Sequence, residues 1–82
     1  MNSSNLLNEL QKIGIPSRWF LIGDIGITDN KSVLRLIDDK WAVYYSQRGG
    51  KYELKTFETE DEACKELILR MKLKKERKKQ SP

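Results

Sequence analysis

The stretch SVLRLIDDKWAVYYSQRGGKYELKTF, residues 32–57, carries the reading of the fold. Three segments within it, Ser32–Ile37, Lys40–Ser46 and Lys51–Phe57, have the period-two patterning of half-buried strands. Asp38-Asp39 separates the first two. Gly49-Gly50 separates the last two and is the strongest hairpin signal in the chain, because both residues can take positive φ in a two-residue turn. Each turn centre fixes which residues face each other. A turn on Asp38-Asp39 sets Leu36 opposite Trp41 and Leu34 opposite Val43. A turn on Gly49-Gly50 sets Tyr45 opposite Leu54 and Val43 opposite Thr56.

Working outward, Trp19, Leu21, Ile25 and Ile27 keep the same period upstream, and Thr28-Asp29-Asn30-Lys31 reads as a third turn. It sets Ile25 opposite Leu34 and Ile27 opposite Ser32. All three registers gather Trp19, Leu21, Ile25, Ile27, Leu34, Leu36, Trp41, Val43, Tyr45, Tyr52 and Leu54 on one face, and this mutual consistency predicts a four-stranded antiparallel meander. Helix signals flank it. Ser3 or Ser4 can cap a helix whose stripe is Leu6, Leu7, Leu10 and Ile13, closed by Gly14 and Ile15-Pro16. Thr59-Glu60-Asp61-Glu62 is a capping box opening a second helix, with Cys64, Leu67, Ile68 and Met71 as its stripe. The expected class is α+β, in the order α-β-β-β-β-α, with both helices packed on the odd-numbered face of the first strand.

The 82 residues leave room for one domain. The net charge of +4 is unevenly spread. Residues 72–79, KLKKERKK, hold six cations and one Glu, whereas residues 1–71 hold ten cations and eleven acids. The expected organisation is a domain over residues 1–71 and a basic, disordered tail over 72–82. The N-terminal MNSSNLLNELQ has neither the charge nor the apolar run of a signal peptide, and no stretch has the roughly 20 apolar residues of a membrane span.

One cysteine and no histidine remove most site chemistry. No internal disulfide can form, which fits a reducing, cytoplasmic setting. No imidazole base is available to a nucleophile, and a zinc site would have one thiolate and carboxylates only. Asp24, Asp29 and Asn30 lack calcium-loop spacing, and there is no Gly-rich phosphate cradle. Cys64 lines up with Leu67, Ile68 and Met71 as a core residue. No catalytic residue, metal or cofactor is assigned.

A binding surface is the better expectation. The same registers turn Phe20, Ile22, Val33, Ile37, Tyr44 and Phe57 to the second sheet face, framed by Asp24, Arg35, Glu53 and Lys55. An apolar centre with aromatic and Arg content and a charged rim suits a protein partner, or a second copy in a homodimer. The candidate partner-binding residues are Phe20, Ile22, Arg35, Ile37, Tyr44, Lys55 and Phe57, with Arg48 on the neighbouring hairpin. The alternative is a small nucleic-acid-binding protein whose tail cations Lys72, Lys74, Lys75, Arg77, Lys78 and Lys79 neutralise phosphates. The helix–sheet–helix order is similar to that of double-stranded-RNA-binding domains. Those place lysines at the start of the second helix, where this chain has Glu60-Asp61-Glu62.

The run Trp41-Ala42-Val43-Tyr44-Tyr45-Ser46-Gln47-Arg48-Gly49-Gly50, followed by Phe57-Glu58-Thr59-Glu60-Asp61-Glu62-Ala63-Cys64, resembles small bacterial immunity proteins of polymorphic-toxin systems. Those show a tryptophan strand, a Glu-Arg-Gly turn and a Phe-x-x-Glu-x-Glu-Ala-Cys helix start, after a Leu-rich helix ending near Gly-Ile-Pro, matched by Leu10 to Pro16. The likeness covers most of residues 6–68. Gln47 stands where those proteins carry a glutamate. The resemblance implies a protein that binds and blocks a cognate toxin, without catalysis.

Overall fold

The strand pair at the centre of the fold follows from its turn. In the computed structural model, which describes residues 1–23, 26 and 29–80, β2 (Lys31–Ile37) and β3 (Lys40–Gln47) pair antiparallel. Ile37 faces Lys40, Leu36 faces Trp41 and Leu34 faces Val43, the expected register. Asp38 and Asp39 both take positive φ, 49° and 64°, the mirror-image turn whose twist matches the strands. Strand β4 (Gly50–Phe57) pairs antiparallel with β3 as the edge of the sheet. α1 (Ser3–Lys12), a single 3₁₀ turn (Ser17–Trp19), β1 (Phe20–Ile22) and α2 (Glu60–Gln80) complete the order α-β-β-β-β-α.

The sheet is mixed rather than wholly antiparallel. β1 runs parallel to β2, with Phe20 level with Ser32 and Ile22 level with Leu34. The expected first strand stops early because Gly23 and Gly26 take φ of 106° and 131°, a region open to glycine and strained for other residues. The chain then returns to Lys31 instead of folding back as a hairpin. Asp29 and Asn30 lie against the far end of β3. The Asn30 N–H donates to the Ser46 carbonyl at 2.7 Å and the Asp29 carboxylate accepts from the Arg48 N–H at 2.7 Å. Ile25 and Ile27 lie outside the described residues.

Two further corrections concern faces. The parallel pairing puts Phe20 and Ile22 on the helix-covered side and Leu21 on the other, so the helices pack on the even-numbered face of β1. The second hairpin turns at Arg48-Gly49, with φ of 52° and 78°, and Gly50 is already in β4. Tyr45 therefore faces Tyr52. A bulge follows, Glu53 adopting φ 55°, after which Val43 faces Lys55 and Trp41 faces Phe57. One inserted residue swaps the faces of everything beyond it, so Lys55 and Phe57 turn to the helix side.

The main core joins Leu6 and Leu10 of α1, Ile15, Trp19, Phe20, Leu34, Val43 and the α2 residues Ala63, Cys64, Leu67 and Met71, all buried. Leu7, expected in the stripe, is exposed. Asn2, not a serine, caps α1, its Oδ1 accepting the Asn5 N–H at 2.9 Å. At α2 the capping box forms as expected, the Glu62 N–H donating to Thr59 Oγ1 at 3.2 Å and the Thr59 hydroxyl donating to Glu62 Oε1 at 3.0 Å.

Helix α2 does not end at Met71. It runs for 21 residues to Gln80, so residues 72–80 are helix and not an unstructured tail. Lys75 Nζ donates to the Ile13 carbonyl at the end of α1, and Lys74 Nζ lies 4.8 Å from the Trp19 ring centroid. At the other end, the Met1 ammonium donates to Asp61 at 2.8 Å and the Ser3 N–H to Glu60 at 3.2 Å. The two helices thus run side by side in the same direction, tied at both ends. Ser81 and Pro82 lie outside the described residues.

Candidate functional site

The sequence-predicted patch is divided by the sheet. Phe20 is buried in the main core, and Ile22 and Phe57 pack against it. Arg35, Ile37 and Tyr44 lie on the opposite face, where Val33, Ala42 and Tyr44 form a second buried cluster, 0%, 0% and 2% exposed. Leu21 and Ile37 pack onto that cluster. A Cβ added at Gly26 would come within 3.1 Å of Leu21 Cδ1, so Gly26 lies close against Leu21 on this side. Lys51 Nζ also stands 5.6 Å from the Tyr44 ring centroid. The apolar centre expected to be exposed is a small second core. The expected pairing of Asp24 with Arg35 lies outside the described residues. Arg48 is exposed at the hairpin tip, and Lys55 lies on the helix side.

The open surface is elsewhere. Helix α2 lies against β2, β3 and β4, but residues 51–56 of β4 stay exposed. A groove of about 980 Å³ opens there between Tyr45, Tyr52, Leu54 and Lys55 of the sheet and Glu66, Leu69, Arg70, Leu73, Lys74 and Arg77 of α2. Tyr52, Leu54, Leu69 and Leu73 are 52%, 50%, 52% and 45% exposed. Leu69 and Leu73 are four apart and point away from the Cys64–Leu67–Met71 stripe, so α2 presents a second apolar strip beside its first. The Tyr52 ring folds back over Gly50, where an added Cβ would meet it at 3.2 Å.

Arg70 holds the groove together. Its Nε donates to Glu66 Oε2 at 2.7 Å and its Nη2 to the Glu53 carbonyl at 2.6 Å, at the bulge. Nη1 is buried, with no hydrogen-bond partner among the described residues. Glu58 and Asp61 serve local structure. Glu58 is held below the ordinary carboxylate range by its hydrogen bond and ion pair with Lys40. Asp61 is lowered first by the Met1 ammonium and then by Lys65. Burial pushes the Cys64 thiol up, with the Glu60 charge adding to it.

Of the basic run, Lys74 and Lys75 are engaged by the fold, while Lys72 and Arg77 are exposed. The side chains of Lys78 and Lys79 lie outside the described residues. Among the described residues no three His, Cys, Asp or Glu side chains are placed to hold a metal ion. Among the described residues no helix is long and apolar enough to cross a membrane.

Reasoning from the sequence missed Tyr52, Leu54, Leu69 and Leu73 as a shared surface. The Leu69–Leu73 spacing was the available signal; the bulge that brings β4 beneath it left none. No family model, curated protein or solved structure matches the chain.

Proposed function

We propose that this chain is a non-enzymatic protein-binding module, acting in the cytoplasm as an immunity protein that binds and neutralises a cognate bacterial toxin. The observation that supports the binding reading is the half-exposed apolar strip Tyr52, Leu54, Leu69 and Leu73 in an open groove. A molecule this small has little reason to leave four large apolar side chains together in solvent unless a partner covers them. The toxin reading rests on the likeness of residues 6–68 to immunity proteins. The lone buried cysteine fits a reducing compartment.

The experiment is to read the genes beside this one and to co-express the chain with any toxin-like domain found there. The expected result is restored growth and a stable complex on size-exclusion chromatography. A folded chain that neither protects nor co-elutes overturns the toxin reading. The nucleic-acid alternative is weakened by Lys74 and Lys75, which are turned to Trp19 and Ile13. It predicts salt-sensitive RNA or DNA binding, and the absence of binding at low salt removes it.

A further inference from the structure

We infer that the groove between β4 and α2 takes an acidic segment of a protein partner, carboxylates toward α2 and apolar side chains toward the strip. This rests on the protein-binding reading and adds the chemistry of the occupant. Charge carries the first part. Lys55, Arg70 and Arg77 line the groove with Glu53 and Glu66, and with the Arg70–Glu66 pair set aside Lys55 and Arg77 face Glu53. The second part is Arg70 itself. Its guanidinium is fixed by Glu66 through Nε and by the Glu53 carbonyl through Nη2. Fixed in this way, the guanidinium holds its charge at one place on the groove wall, where an acidic side chain meets it without having to order it first.

The third part is the floor. Tyr52, Leu54, Leu69 and Leu73 offer area to aliphatic or aromatic side chains, so the occupant is not a bare polyanion. A phosphate backbone has nothing to gain from Leu69 and Leu73. β4 is also the free edge of the sheet, with main-chain groups on its outer side available to an extended segment.

The test is fluorescence anisotropy with the full chain and a short labelled peptide alternating glutamate and leucine. The control probes are the lysine–leucine counterpart and a labelled oligouridylate. The acidic peptide should bind at least about tenfold more tightly than the basic one and weaken with added salt. Leu73→Glu and Arg77→Glu, both at exposed positions, should each reduce its affinity about tenfold, with the circular dichroism spectrum unchanged. Leu7→Glu, on exposed α1 surface away from the groove, should not. Equal binding of both peptides, or indifference to Leu73→Glu and Arg77→Glu, overturns the inference. So does preferential binding of the oligouridylate. A cognate protein that binds while the acidic peptide does not leaves the module reading standing and removes this one alone.

Discussion

Cys64 is enclosed with Leu67 and Met71 beneath α2, and its thiol is raised by desolvation and by Glu60. Because the thiolate is the reactive form, the native chain should react with Ellman's reagent at pH 8 far more slowly than the urea-unfolded chain. Comparable rates would mean the helix opens readily. Leu67, fully buried on the same stripe, carries packing alone. Leu67→Ala should cost about 2–4 kcal/mol in urea unfolding, the loss for a large side chain whose cavity cannot close. Both residues were legible in the sequence, because a helical stripe needs only local spacing. Tyr44 was not. Its face depends on whether the opposite side of the sheet is covered, and Leu21 and Ile37 pack there, with Gly26 close against Leu21.

At the scale of elements, the first hairpin was readable to the residue and the second was not. Asp38-Asp39 is flanked by strands whose alternation allows one register. Gly49-Gly50 invites a turn centred on the two glycines, yet Asp29 accepts the Arg48 N–H and fixes the turn one residue earlier. The bulge at Glu53, braced by Arg70 on the Glu53 carbonyl, restores part of the offset. These are tertiary contacts, absent from any local pattern. The parallel placing of β1 has the same origin, since strand direction is decided by where the chain goes after Gly23. Strain in the first turn gives a check. Asp39→Gly relieves positive φ at a non-glycine position and should raise stability by up to about 1 kcal/mol, seen as a higher melting temperature. A fall would mean that the Asp39 side chain contributes more than its backbone costs.

For the whole molecule, the decisive feature is that α1 and α2 are tied at both ends. At the start, the Met1 ammonium and Lys65 hold Asp61 below its ordinary value near 3.8. A carboxyl lowered in the folded state stabilises it above the unfolded value, and that contribution vanishes as pH falls through the lower folded one. Urea midpoints should therefore decline below about pH 4, and Asp61→Asn should flatten part of the decline. The Lys40-paired Glu58, lowered in the same sense, keeps the rest. At the far end, Lys75 meets the Ile13 carbonyl, where a cation also suits a helix C-terminus, and Lys74 lies on Trp19. If residues 72–82 were a detachable appendage, removing them would leave the unfolding midpoint unchanged. With these contacts, truncation after Met71 should lose about 2 kcal/mol, one charged hydrogen bond plus one cation–π contact. Lys75→Ala alone should account for the larger part. Truncation also removes Leu73, Lys74 and Arg77 from the groove wall, so loss of partner binding by the shortened chain would not distinguish a groove from a basic tail. Lys75→Ala lies outside the groove lining. It should lower stability while leaving acidic-peptide affinity intact, which separates the clamp from the binding surface on the same helix.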